Sequence, residues 1–143
     1  MNRSFFEHAL HNEKALDFIS KEAEFNDWSI TIAFYTALHF VRAKSNENGE
    51  FITFDEWFNK QKKIEREKKN FNFTKHEAIE RLAFLISKDC GNEYKRLSGF
   101  AKNSRYSEYK VDPQKMRCVN YGLAQIKKAC YNVNDYSLQV PAK

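Results

Sequence analysis

Only 4 glycines, 2 prolines and 3 cysteines occur in the 143 residues of this chain. Glycine and proline punctuate turns, so their scarcity argues against the many tight turns of a β-sandwich or barrel. Regular apolar–polar alternation is missing too, and the chain reads as helices with short connections. Cys90, Cys118 and Cys130 stand apart with no C-x-x-C spacing. That argues against a disulfide framework or a zinc site and for a reducing compartment. The longest mostly apolar run, Ile30–Val41, has 12 residues interrupted by Tyr35, Thr36 and His39. A membrane span needs about 20 apolar residues. The start, Asn2-Arg3-Ser4-Phe5-Phe6-Glu7-His8, lacks the apolar stretch of a signal peptide, so a soluble, cytoplasmic protein without membrane partners is expected. There is no glycine-rich phosphate loop, no H-E-x-x-H, no close carboxylate pair in an apolar setting and no recognisable Ser or Cys nucleophile. His39 and His76 lack accompanying carboxylates, so no metal and no cofactor is expected.

What is present is a chain built to pack. The apolar fraction is 42%, with 13 Phe, 7 Tyr and 2 Trp, and the length suits one domain over residues 1–143. Lys and Arg exceed Asp and Glu by 24 to 19, giving a net charge of +5. By itself that balance speaks to solubility and weak non-specific binding. Helix starts are marked by Ser4 with Glu7, Thr53 with Glu56 and Thr74 with Glu77, each at capping-box spacing, and by Asp112 before Pro113. The periodicity predicts helices over about 5–23, 28–44, 54–69, 75–88, 93–103 and 113–132. Turns are expected at Ser45–Gly49 and at Gly91-Asn92, and a frayed tail over about 133–143. Expected core positions are Phe6, Ala9, Leu10, Leu16 and Ile19 in the first helix. Later helices add Trp57, Phe58 and Ile64, then Ile79, Leu82, Ala83 and Ile86. The result is an all-α antiparallel bundle of four or five helices with an extra helical insertion.

The predicted helix over 28–44 carries apolar residues nearly all round, which marks it as central and buried. Thr31, Tyr35, His39 and Arg42 form a polar stripe along it. Buried polar groups need hydrogen bonds or a wet cleft. His39 reads either as a satisfied core histidine or as one wall of a polar pocket. His76 begins a later helix, where Glu77–Arg81 and His76–Glu80 have the spacing of ordinary surface pairs. The stretch Lys102-Asn-Ser-Arg-Tyr-Ser-Glu-Tyr109 supplies Ser104, an Arg105 able to fork onto a phosphate, and Tyr106 as a stacking face. Lys60–Lys69 holds six basic and two acidic residues, net +4. Lys62, Lys63 and Arg66 there are candidate nucleic-acid contacts, set against the plainer reading of a solvated helix face.

In the order of these pieces the chain resembles a small bacterial HEPN-superfamily domain (higher eukaryotes and prokaryotes nucleotide-binding). The likeness rests on Trp28…Ala33-Phe-Tyr-Thr-Ala-Leu-His39, then His76, Tyr94-Lys-Arg-Leu97 and Ser104-Arg-Tyr106. It spans about Phe5 to Asn132, with about 47–74 looking like an insertion. The resemblance implies a helical bundle that often dimerises, and either a metal-independent ribonuclease of toxin–antitoxin or defence systems or a non-catalytic binding domain. Ribonuclease members pair an Arg with a His that follows after four to six intervening residues, the Arg holding the phosphate and the His acting as acid or base. Here Arg105 is followed at that spacing by Lys110, Val111 and Asp112, and the only Arg-x4-His string is Arg3 to His8 at the other end of the chain. The reading that follows is a non-catalytic or weakly catalytic homodimer that binds RNA, nucleotide or an antitoxin-like protein. One alternative is a ribonuclease using His39, His76 and Arg105. Another is an assembly subunit docking through Phe51, Phe54, Trp57 and Phe58.

Overall fold

The computed structural model describes residues 1–106 and 109–131, in which six α-helices and one short hairpin form an all-α bundle. The helices are α1 (Arg3–Ile19), α2 (Asn26–Ala43), α3 (Phe54–Glu67), α4 (Lys75–Ile86), α5 (Lys88–Tyr106) and α6 (Pro113–Cys130). A single 3-10 turn, Ala23–Phe25, leads into α2. The expected tail over 133–143 lies outside the described residues.

Helix α2 is the centre. Ser29, Ile30, Ala33, Phe34, Thr36 and Ala37 are buried, and so is every residue from Leu38 to Val41. Helices α1, α4, α5 and α6 all pack on it. Its partners present faces at helical spacing: Phe6, Ala9 and Leu16 from α1, Tyr94, Leu97 and Ala101 from α5, and Val119, Leu123 and Ile126 from α6. Each large side chain removed from water in this way contributes about 1.5–3 kcal/mol. Leu10, Ile19 and Ile86 are only half buried. Beyond α6, Tyr131 closes the core by donating its hydroxyl to the Phe40 carbonyl at 3.0 Å.

Two capping boxes form as expected, at Thr53 with Glu56 and at Thr74 with Glu77, and Asp112 caps α6 before Pro113. The third does not. Asn2 is the N-cap of α1, accepting from the Phe5 N–H, while Ser4 lies inside the helix and Glu7 pairs with Arg3 at 2.8 Å. Asn2 sits two residues earlier with a side-chain oxygen of its own, and the cap goes to the residue at which the helix starts. The break at Ser45–Gly49 is a small hairpin. Asn46 pairs with Phe51 and Glu47 with Glu50 across an Asn48-Gly49 turn whose φ angles are 52° and 81°. Positive φ at both turn positions is what Asn-Gly tolerates best, and it matches the twist of the two strands.

Helix α3 meets the bundle through Phe54 and Trp57, which are buried, with the Trp57 indole N–H donating to the Ala78 carbonyl at 3.1 Å. These two aromatics are therefore packing residues. Ile64, expected on the apolar side, is exposed, and Gln61 and Glu65 take the buried positions instead. The cause is Arg81, whose guanidinium reaches Gln61 at 2.9 Å and Glu65 at 2.7 Å. That hydrogen bond holds the Glu65 carboxyl below its ordinary pKa. Arg81 thus serves α3 and does not pair with Glu77.

The expected turn at Gly91-Asn92 is absent, because α5 runs straight through it. The chain breaks at Ser87 instead, whose extended backbone (φ −167°, ψ 156°) ends α4 and whose hydroxyl accepts from the Cys90 N–H at 3.0 Å. Gly91 is there for proximity. A Cβ at that position would lie 2.2 Å from Cδ1 of Phe84, so α4 and α5 can close only over a bare backbone. Replacing Gly91 by Ala is expected to destabilise the fold by about 1–3 kcal/mol in denaturant unfolding despite the better helix propensity. The double variant with Phe84→Ala should recover part of the loss.

Candidate functional site

Two pockets open beside α2, on either side of Tyr35. The first has a volume of about 220 Å³ and lies where α2, α4 and α5 meet. Phe34 and Tyr35 come from α2, His76, Glu77 and Glu80 from the first turns of α4, and Tyr94, Ser98, Lys102 and Arg105 from one face of α5. The capping box fixes the start of α4 and with it the position of His76, while the spacing 94, 98, 102, 105 follows the helical repeat. Phe34 makes the apolar floor: its ring lies 6.2 Å from His76 and 5.6 Å from Tyr94.

Charge in this pocket is divided between its walls. Lys102 and Arg105 line the α5 side, and neither has an ion-pair partner among the described residues. On the α4 side the Glu77 carboxylate accepts from the Thr74 N–H, while the Glu80 side chain makes no hydrogen bond or ion pair among the described residues. Tyr94 is 2% exposed and its hydroxyl has no hydrogen-bond partner. Burial pushes that phenol far above its usual pKa range, so it is a neutral donor.

The second pocket, about 340 Å³, lies between α1 and α2. His8, Asn12 and Ala15 line one side at i, i+4, i+7, and Thr31, Ile32, Tyr35 and His39 line the other. The His8 and His39 rings are stacked, 3.8 Å apart at 22°. His39 is 8% exposed, and its Nδ1 is buried with no partner. Burial, with His8 and Arg42 adding like charge, lowers its pKa from 6.5 to about 4. It is a neutral imidazole at physiological pH.

The polar stripe on α2 therefore divides. Tyr35 borders both pockets, while Thr31 and His39 line only the second. Arg42 belongs to neither. Its guanidinium lies 3.9 Å from the Phe5 ring centroid and 4.6 Å from that of Phe54, pinning α1 and the start of α3 to α2. His76 and Arg105 share the first pocket, and His39 is not with them. Ser104 is buried, and Tyr106 is 77% exposed beside Arg105 as α5 continues through both. On α3, Lys62 lies over the Phe58 ring while Lys63 and Arg66 are exposed, and none of the three lines either pocket. Among the described residues no group of three or more His, Cys, Asp or Glu is placed to hold a metal ion. None of the described helices is long and apolar enough to cross a membrane.

His8, Asn12, Ser98 and Lys102 carried little sequence signal. His8 and Asn12 stand four apart on α1 and become neighbours of His39 only when α1 packs on α2. Ser98 and Lys102 continue the face of Tyr94, which a helix unbroken at Gly91 would have revealed. No family model, curated protein or solved structure matches the chain.

Because His39 resists protonation in the folded state, acid weakens the fold. Below 6.5 the unfolded chain takes up a proton that the native chain refuses until about 4, so stability falls as pH drops through that window. The loss amounts to about 3 kcal/mol at the low end. Urea unfolding from neutral pH down to about 4 should show His39→Gln lacking this component and losing correspondingly less stability than the native protein.

Proposed function

We propose that this chain is a HEPN-like domain that binds RNA in the α2–α4–α5 pocket and holds it without cutting it. The observation that carries the reading is the meeting of unpaired Lys102 and Arg105 with Tyr35, His76 and the partnerless Tyr94 hydroxyl around one pocket. Arg105 matches a phosphate as a fork and Lys102 as a point charge. Tyr35, 38% exposed, offers a ring to a base or sugar. Glu80 would repel a phosphate placed against it, but a carboxylate is a strong acceptor for a ribose hydroxyl, the group that separates RNA from DNA.

Binding without cleavage is favoured by the division of the imidazoles. An acid–base pair must converge on one reacting group within hydrogen-bond reach. His39 instead faces His8 across the other seam of α2. The homodimer and the antitoxin-like partner belong to the same proposal and rest on the resemblance alone.

Fluorescence anisotropy with a labelled single-stranded oligoribonucleotide, at about 50 and 200 mM salt, tests the reading. Arg105→Ala and Lys102→Ala should each weaken binding roughly tenfold and flatten the logarithmic salt dependence by about 0.7 per lost phosphate contact. Glu80→Gln should narrow the preference for RNA over DNA, and the RNA should be recovered intact. Unchanged binding in both cation variants would refute the site. RNA cleavage abolished by His76→Ala would replace it with a ribonuclease.

A further inference from the structure

We propose that the seam between α1 and α2 is a nucleobase pocket, and that a bound nucleotide crosses Tyr35 with its base there and its phosphate beside Arg105. The inference rests on the RNA-binding reading for the phosphate half and on separate observations for the base half. Among the described residues Tyr35 alone lines both pockets, so it forms the ridge between them. The chemistry changes across that ridge. The α4–α5 side carries Lys102, Arg105 and Glu80, whereas among the described residues no Lys, Arg, Asp or Glu lines the α1–α2 side. A pocket lined by Ala15 and Ile32, by the Asn12 amide, by the Thr31 and Tyr35 hydroxyls and by the neutral His39 imidazole suits a flat heterocycle whose rim alternates donors and acceptors.

Three details favour such an occupant. The Asn12 amide makes no hydrogen bond to the described chain, so both its donor and its acceptor are available to a base edge. Thr31 donates its hydroxyl proton to the Asp27 carbonyl at 3.2 Å, leaving that oxygen free to accept. His8 lies flat on His39 with its own ring exposed, which gives a stacking plane at the end of the pocket. The same stacking disfavours a shared metal ion. Ring-nitrogen lone pairs lie in the ring planes, and two nearly parallel rings 3.8 Å apart do not aim them at one point. His39, held neutral with Nδ1 partnerless, stays compatible with an uncharged ligand and would repel none.

The test uses the full chain and the imidazole ring signals in two-dimensional NMR, with uridine, ribose 5-phosphate, and the 5′-monophosphates of uridine and adenosine as probes. Uridine should shift His8 and His39 but not His76, and ribose 5-phosphate should do the reverse. The monophosphates should shift all three and bind at least tenfold more tightly than ribose 5-phosphate. Ala15→Leu, at an exposed position where the longer side chain fills the pocket, should bring the monophosphates down to the affinity of ribose 5-phosphate without altering the latter. His8 and His39 signals unmoved by uridine and by both monophosphates would overturn the base pocket. So would an Ala15→Leu variant that binds the monophosphates as the native protein does. If ribose 5-phosphate leaves His76 unmoved while uridine still shifts His8 and His39, the phosphate site falls and the base pocket stands.

Discussion

The enclosure of α2 by α1, α4, α5 and α6 governs everything else in this protein. A helix surrounded on nearly all sides has water only along the seams between its neighbours. Any polar residue it carries must lie at a seam, find a partner inside, or remain unsatisfied at a cost of about 1–3 kcal/mol. Its polar positions show all three outcomes. Tyr35 reaches the surface between two seams, Thr36 donates to the Ile32 carbonyl at 2.7 Å, and Ser29 is buried with no partner for its hydroxyl.

Charge on α2 is handled by chemistry suited to each group. Arg42 keeps its cation by lying against the faces of Phe5 and Phe54, where ring quadrupoles replace part of the lost hydration. His39, stacked against Phe5 and His8, gives up its proton instead. Burial is the main reason His39 stays neutral, and the nearby His8 and Arg42 add to it by like charge. The neutral His39 imidazole then lines the α1–α2 pocket, in contrast to the cations on α5.

Helix α3 follows a different logic. Most of its surface is charged and wet, and it is held by a short set of anchors: Phe54 and Trp57 in the core, the Trp57 indole on Ala78, and Arg81 reaching across to Gln61 and Glu65. A buried carboxylate is tolerated there because its partner is a guanidinium with good geometry. Lys60 and Glu47 add a tie from the hairpin. The basic residues Lys63 and Arg66 are left facing solvent.

Sequence alone determined the fold class, the central helix and most caps, since these depend on residues within one or two turns of each other. Apolar coverage all round 28–44 requires burial, and Thr-x-x-Glu satisfies its backbone wherever the helix ends up. Errors arose where a residue's role depended on something distant. By sequence Gly91 reads as a helix breaker, whereas the Phe84 ring over it is the reason for its missing side chain. Ile64 looked like core until Arg81 drew Gln61 and Glu65 inward. The stripe Thr31, Tyr35, His39, Arg42 was legible as a stripe, but only packing decided that α1 would claim one part, α4 and α5 another, and two phenyl rings the last. Helical periodicity fixes which residues share a face. Which neighbour that face meets is set by the tertiary arrangement, and so is the chemistry of each seam.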